Sequence, residues 1–395
     1  MVNFRDRTMK VVFQDGQTVE EALEARDTPE ESLVACTVFD WEKWWIHSLT
    51  TQDDWIVAEG FNPHSPPPFN GRLSVYLDQN RWRTVADALL DPSKVKDPDE
   101  RRAALDLIRL STDGGIVMPL SMGHLIEVAG LYGELRYRIG VAMAQLAGGW
   151  QMRNPLDLWK HEADLTMRKH LGTDQSRHVL HPITTEPGAL FGRDTGLGVT
   201  EDTPEYDIFM AMLTMPSVIL DALVEPERTP KDPLEKWTEH HRKITSHIHS
   251  QGMPKERRNN LARRRYWNEN IAFYTSAYRR LTSSADFPTF SDRELKRLLS
   301  ASPMVGLLSE LFVRRFVDHQ VKWSRNDLID MFHLSSAAAY ADHVAAETHT
   351  GTQLRAAQRA LGRAETVHTT LDGLVTALRR DGARADSERA LSRGL

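Results

Sequence analysis

Leu73-Ser-Val-Tyr-Leu77 is a short apolar run with strand-favouring Val and Tyr, and it stops on an acid, Asp78. It leaves a linker marked by prolines and a glycine, His64-Ser-Pro-Pro-Pro-Phe-Asn-Gly71, and so reads as a buried strand. In an open parallel sheet functional groups collect at the carboxyl ends of strands, which puts Asp78 on the rim of a crevice. The structural alternative is that Asp78 and Asn80 cap the helix that follows. What distinguishes the two is the acids that arrive later in the chain.

A length of 395 residues accommodates two ordinary domains, or one domain with a large insertion. With 41% apolar residues, no run near the length of a bilayer span and no secretory pattern at the start, the expectation is a cytoplasmic protein without membrane contact. The single cysteine, Cys36, has no partner for a disulfide or a thiolate zinc site and is expected to be a buried small hydrophobe. The net charge of −6 does not advertise a nucleic-acid binder, but it averages over a strongly basic stretch at Lys255–Arg265.

Residues 1–70 read as an accessory N-terminal segment, with a strand at Met9–Phe13, a Thr18/Glu21 capping box, and Trp44, Trp45 and Trp55 as its packing anchors. Helices are predicted over Arg81–Leu90 and Asp97–Leu110, then a glycine-led strand at Gly114–Pro119, with Ser121 as N-cap of the next helix. That helix carries His124 and Glu127, three residues apart and hence on one face. Further helices are expected at Glu134–Ala147, stopped by Gly148-Gly149, at Gln151–Lys169, and, after a long loop, at Glu205–Leu223. No second histidine stands four residues from His124 or His161, which argues against zinc. His240, His241, His247 and His249 are expected on a polar helix face.

Between Pro254 and Arg265 six cations oppose one acid, and Tyr266 and Trp267 follow. Arg257, Arg258, Arg263, Arg264 and Arg265 could neutralise phosphates while the two aromatics stack on bases; the alternative is an ordinary solvated basic face. Farther on, Asp327 and Asp330 share a helix face three residues before His333, and Tyr340–Ala346 can form a strand bounded by Asp342 and Glu347.

A strand ending in Asp78-Gln79-Asn80, a strand and helix delivering Glu127, and an Asp-x-x-Asp-x-x-His segment leading into Tyr-Ala-Asp and Glu347 together resemble the PIN-domain-like nucleases. The resemblance covers 71–165 and 305–365. It implies an α/β fold, three-layer α/β/α with a central mostly parallel sheet, interrupted by a mainly helical insertion at 166–304 and followed by a helical tail at 366–395. Two features depart from the family pattern: the length of that insertion, and Glu347 where an Asp in a Thr-x-Asp context is usual.

The resemblance further implies a metal-dependent ribonuclease leaving 5′-phosphates. Crowded carboxylates repel unless a hard cation neutralises them, and oxygen donors suit Mg²⁺ or Mn²⁺. Asp78 would be the central ligand, Glu127 and one of Asp327 or Asp330 would complete the set, and Asp342 or Glu347 would hold a second metal or its water. Asn80 and His333 would orient these ligands. RNA is the expected partner, with single-stranded DNA and a DNA-directed nuclease as alternatives. A catalytically inactive binding or regulatory module is the reading from another class. Gln353–Arg380 reads as one or two amphipathic helices with Leu354, Leu361, Leu371 and Leu374 at core spacing, which leaves docking on its own domain, a homo-oligomer or a regulatory protein partner open.

Overall fold

The computed structural model describes residues 1–384 except 14, 24–31, 65–68, 70, 174–179, 194–195, 197, 201, 225–232, 251 and 319–322; at 233–235 and 325–326 it describes backbone alone. The last part of the expected helical tail, 385–395, lies outside the described residues. The chain is a mixed α/β protein divided into two units, Met1–Asn154 with Ile183–Glu227 and Thr370–Leu395, and Pro155–Pro182 with Arg228–Thr369.

Unit 1 begins with β1 (Val2–Asn3), β2 (Thr8–Val12), β3 (Thr18–Ala22), β4 (Val34–Asp40), β5 (Trp45–Thr50) and β6 (Trp55–Glu59). These form a six-stranded sheet in the order β3-β2-β1-β4-β5-β6, antiparallel throughout. This corrects two expectations. The largest sheet is antiparallel and lies within the supposed accessory segment, and Thr18 and Glu21 belong to a strand, Val19 and Glu21 pairing with Val11 and Met9, instead of capping a helix. Alternation along β5 and β6 buries Ile46, Ser48, Ile56 and Ala58 and leaves Trp45 and Trp55 43% and 52% exposed, so these tryptophans are not buried anchors. Cys36, in β4, is half-buried.

The chain continues through β7 (Leu73–Leu77), α1 (Gln79–Leu90), α2 (Pro98–Thr112), β8 (Ile116–Val117), α3 (Met122–Val128), α4 (Gly133–Ala147) and β9 (Gln151–Met152). β7 and β8 pair in parallel, Leu73 with Ile116 and Ser74 with Val117. Asp97, predicted as the first residue of the helix, is instead its N-cap and accepts the Asp99 and Glu100 N–H groups; α4 ends at Gly148 in the left-handed region, as the sequence predicts. After α5 (Pro155–Leu171), which opens unit 2, the chain returns to unit 1 for β10 (Ile183–Thr184) and α6 (Glu205–Val224). By length and composition α6 could cross a bilayer, contrary to the expectation that no such run exists, yet half of it is buried, packed on β4, α3 and α4.

Unit 2 resumes with α7 (Pro233–Ser250), α8 (Lys255–Thr282), α9 (Asp292–Ala301), α10 (Pro303–Val317), α11 (Arg325–Tyr340), β11 (His343–Ala345), α12 (Thr348–Ala360) and β12 (Val367–His368); α13 (Leu371–Arg380) belongs to unit 1. β11 and β12 form a second parallel pair. α10 packs against α5, α7, α8, α9, α11 and α12, and most of its side chains are buried. No N-cap side chain serves it. Instead, buried Glu162 of α5 accepts the N–H groups of Met304 at 2.7 Å and Val305 at 2.9 Å, and the hydroxyl of Tyr340 at the end of α11. Burial pushes the Glu162 carboxyl pKa up, opposed by these donors and by the charge of Arg363. Arg363 itself donates to Ser300 O at 3.1 Å, Ser302 O at 2.7 Å and Pro303 O, at the α9–α10 turn. A β-carbon at Gly306 would stand 2.7 Å from its guanidinium, so glycine leaves that side chain its place.

Removing the Glu162 carboxyl orphans two helix-end donors and the Tyr340 hydroxyl in a dry site. Glu162→Ala should therefore cost about 3 kcal/mol in urea unfolding, and Tyr340→Phe about 1 kcal/mol. An unchanged midpoint for Glu162→Ala would discard the brace.

Candidate functional site

Asp78 leaves β7 in extended geometry (φ −64°, ψ 157°) as N-cap of α1, its Oδ1 accepting the Gln79 N–H at 2.8 Å. Capping and a rim position therefore coexist, because the helix starts where the parallel strand ends. Asn80 sits exposed in the first turn of α1, its carbonyl accepting the Thr84 hydroxyl at 3.0 Å.

The helix that carries Glu127, α3, is tied to the exit of β7 by His124. Its Nδ1 accepts the Ser121 N–H at 3.0 Å, so Nε2 carries the proton and donates to Leu77 O at 2.7 Å, one residue before Asp78. The ring stacks on Tyr76 at 4.9 Å, and the Tyr76 hydroxyl lies 2.9 Å from Ser121 Oγ. The buried imidazole pins α3 to the exit of β7. Glu127, one turn on and on the same face, lies about 4.5 Å farther along the axis, half-buried. Unit 1 thus ties the helix that carries Glu127 to the strand that ends at Asp78.

Unit 2 sorts its acids differently. Asp327 closes a capping box with Ser324 and pairs with the buried Arg315, so the start of α11 accounts for it. Asp330 follows one turn later, half-buried, and His333 one turn after that. Desolvation lowers His333 to about 4, so it stays neutral over the physiological range. Asp342 and Glu347 stand at opposite ends of β11, about 16 Å apart along an extended chain. One ion cannot take both. Glu347, N-cap position of α12, is at the carboxyl end of the parallel pair, and Asp342 at the amino end. The amino end of β11 also holds a feature the sequence reading missed, His343 Nδ1 3.1 Å from His368 Nε2. A shared i, i+3 pattern could not have revealed it, since the two rings meet across neighbouring strands.

The basic stretch forms the first half of α8. Arg263 is buried against Glu310 at 3.1 Å, Arg264 meets Asp292 at 2.5 Å, and Arg265 reaches Glu269 at 2.7 Å and His240 at 2.8 Å. Arg258 donates to His249 Nδ1 at 3.0 Å, whereas Arg257 is exposed. Tyr266 and Trp267 are core residues, Tyr266 stacking on Trp159 and Trp267 packing on Tyr274. The expected base-stacking surface is therefore corrected: Tyr266 and Trp267 lie on the buried face of the helix. His241 is likewise buried, among Trp237, Phe312, Phe316 and Trp323, where a polar face was expected.

Among the described residues no group of three or more His, Cys, Asp or Glu side chains is arranged to hold a metal ion. Comparison with family models, with curated proteins and with solved structures finds no match.

Two outcomes follow from these histidines. His124→Ala leaves the Leu77 carbonyl and the Ser121 N–H without their buried partner and should cost about 2 kcal/mol by thermal or urea unfolding. For His333 the folded pKa, about 4, lies below the unfolded value of 6.5, so the unfolded chain takes up the proton first. Its neutral form supports the fold above pH 6.5, and stability drops as the pH falls from there towards 4. His333→Gln should flatten that slope; an identical pH profile would dismiss the assignment.

Proposed function

We propose that the chain is a metal-dependent phosphodiesterase of the PIN-like kind, a nuclease whose substrate is RNA, on a three-layer fold with a central parallel sheet. The observation that supports this reading is the exit of β7, where Asp78 ends a parallel strand and α3, the helix that carries Glu127, is tied by His124 to the preceding carbonyl. Hard carboxylate donors suit Mg²⁺ or Mn²⁺, and Mg²⁺ commonly takes only one or two carboxylates, with waters and substrate phosphates filling the rest. A pair at the strand exit fits that requirement without a larger cluster. Bound there, the ion would activate water and neutralise charge on the scissile phosphate.

The roles of the chain's own residues follow from their surroundings. Asp78 and Glu127 would supply the negative charge at the rim, and His124, which ties α3 to the end of β7, would hold the two elements together. Asp330 and Glu347 remain candidate ligands on their placement within unit 2, ahead of Asp327, which is engaged in a cap and an ion pair, and of Asp342, at the far end of β11. A second reading, a binding module without catalysis, is favoured by the pairing of Arg263, Arg264 and Arg265 with acids of their own chain.

Mn²⁺ should raise the melting temperature of the wild-type chain and cleave labelled RNA, and Asp78→Asn should lose both the shift and at least about a hundredfold in rate while keeping its circular dichroism. A wild-type preparation with neither shift nor cleavage of RNA or single-stranded DNA decides for the binding module.

A further inference from the structure

Between the start of α8 and the second half of α10, within unit 2, lies a pocket of about 570 Å³. Lys255, Arg258, Arg263 and Arg314 line it against only Glu310 and Asp318, so it carries an excess of positive charge. Arg263 is spoken for, being buried against Glu310. Arg258 and Arg314 are each anchored through one terminal nitrogen, to His249 Nδ1 at 3.0 Å and to Ala356 O at 2.9 Å. The Nε–H of each is buried without an acceptor among the described residues. Buried donors are rarely left so unless water or an ion completes them. Lys255, the first residue of α8, is exposed, and the N-cap residue, Pro254, offers no capping side chain to the first turn of the helix.

We propose that this pocket binds a phosphate group. A doubly charged anion matches the excess of two cations, planar guanidinium groups match the oxygens of a phosphate, and the volume is that of a small-ligand site. The group can come from a free phosphate or diphosphate, or from a nucleic-acid backbone. The proposal goes beyond the nuclease reading and stands without it, since it needs neither the strand-exit acids nor a metal.

The test uses the full chain in phosphate-free buffer with a chelator present, titrated with pyrophosphate in a calorimeter. Wild type and Asp78→Asn should bind alike, which separates this site from the proposed catalytic one. Lys255→Glu, an exposed change, and Arg314→Gln should each weaken binding at least tenfold with unchanged circular dichroism, whereas Lys43→Glu in unit 1 should not. Competition by a single-stranded RNA oligonucleotide assigns the natural phosphate to a backbone; binding without competition assigns it to a small anion, and either supports the pocket. No heat with the wild type, or undiminished affinity in Lys255→Glu, overturns it.

Discussion

The second unit depends on a carboxylate standing where a capping side chain would normally be. Glu162 closes the amino end of α10, the helix against which most of the unit packs, and takes the hydroxyl of Tyr340 as well. A helix start leaves several N–H groups without intrahelical partners, and in a dry interior these must be met from outside the helix. Because Tyr340 is the last residue of α11, the same carboxylate fixes where the chain turns into β11. The spacing of Asp330, Asp342 and Glu347 within the unit therefore rests on a group far from them in sequence.

In the first unit the comparable constraint is a tautomer. His124 can join Ser121 to Leu77 only as the Nε2-protonated neutral ring, which accepts on one side and donates on the other. A lysine or arginine could donate but not accept, and a carboxylate could accept but not donate. Imidazole is one of few groups able to bridge a helix start and a strand carbonyl at this distance. The rigidity it gives to the β7–α3 corner is what the proposed chemistry asks of a rim: ligands held by packing before any ion arrives.

Much of this was legible where signals are local. The strand ending at Asp78, the capped starts of α2 and α3, the glycine stop after α4 and the span of α6 all follow from caps and periodicity within a few residues. The antiparallel sheet was not, because short strands with irregular alternation are decided by their neighbours, and Thr-x-x-Glu at Thr18 looks the same in a strand as at a helix start. Ser324-x-x-Asp327 was readable as a capping box by the same rule and would have removed Asp327 from the ligand set at once. The partners of Arg263 and Arg264 lie 47 and 28 residues away, beyond any local pattern, so the second half of a run that reads as free positive charge is neutralised at home, and the first half, among the described residues, is not.

The placement of α13 bears on how the chain is made. Its first N–H is held by Glu100 at 2.9 Å, and Arg379 reaches Asp106 at 2.8 Å, so the surface of α2 is covered by residues synthesised some 270 positions later. While the chain is still emerging from the ribosome, α2 must wait with that flank open to water and to chaperones. The first unit is thus begun before the second and closed after it, so α13 can dock on α2 only once the residues of the second unit have been made.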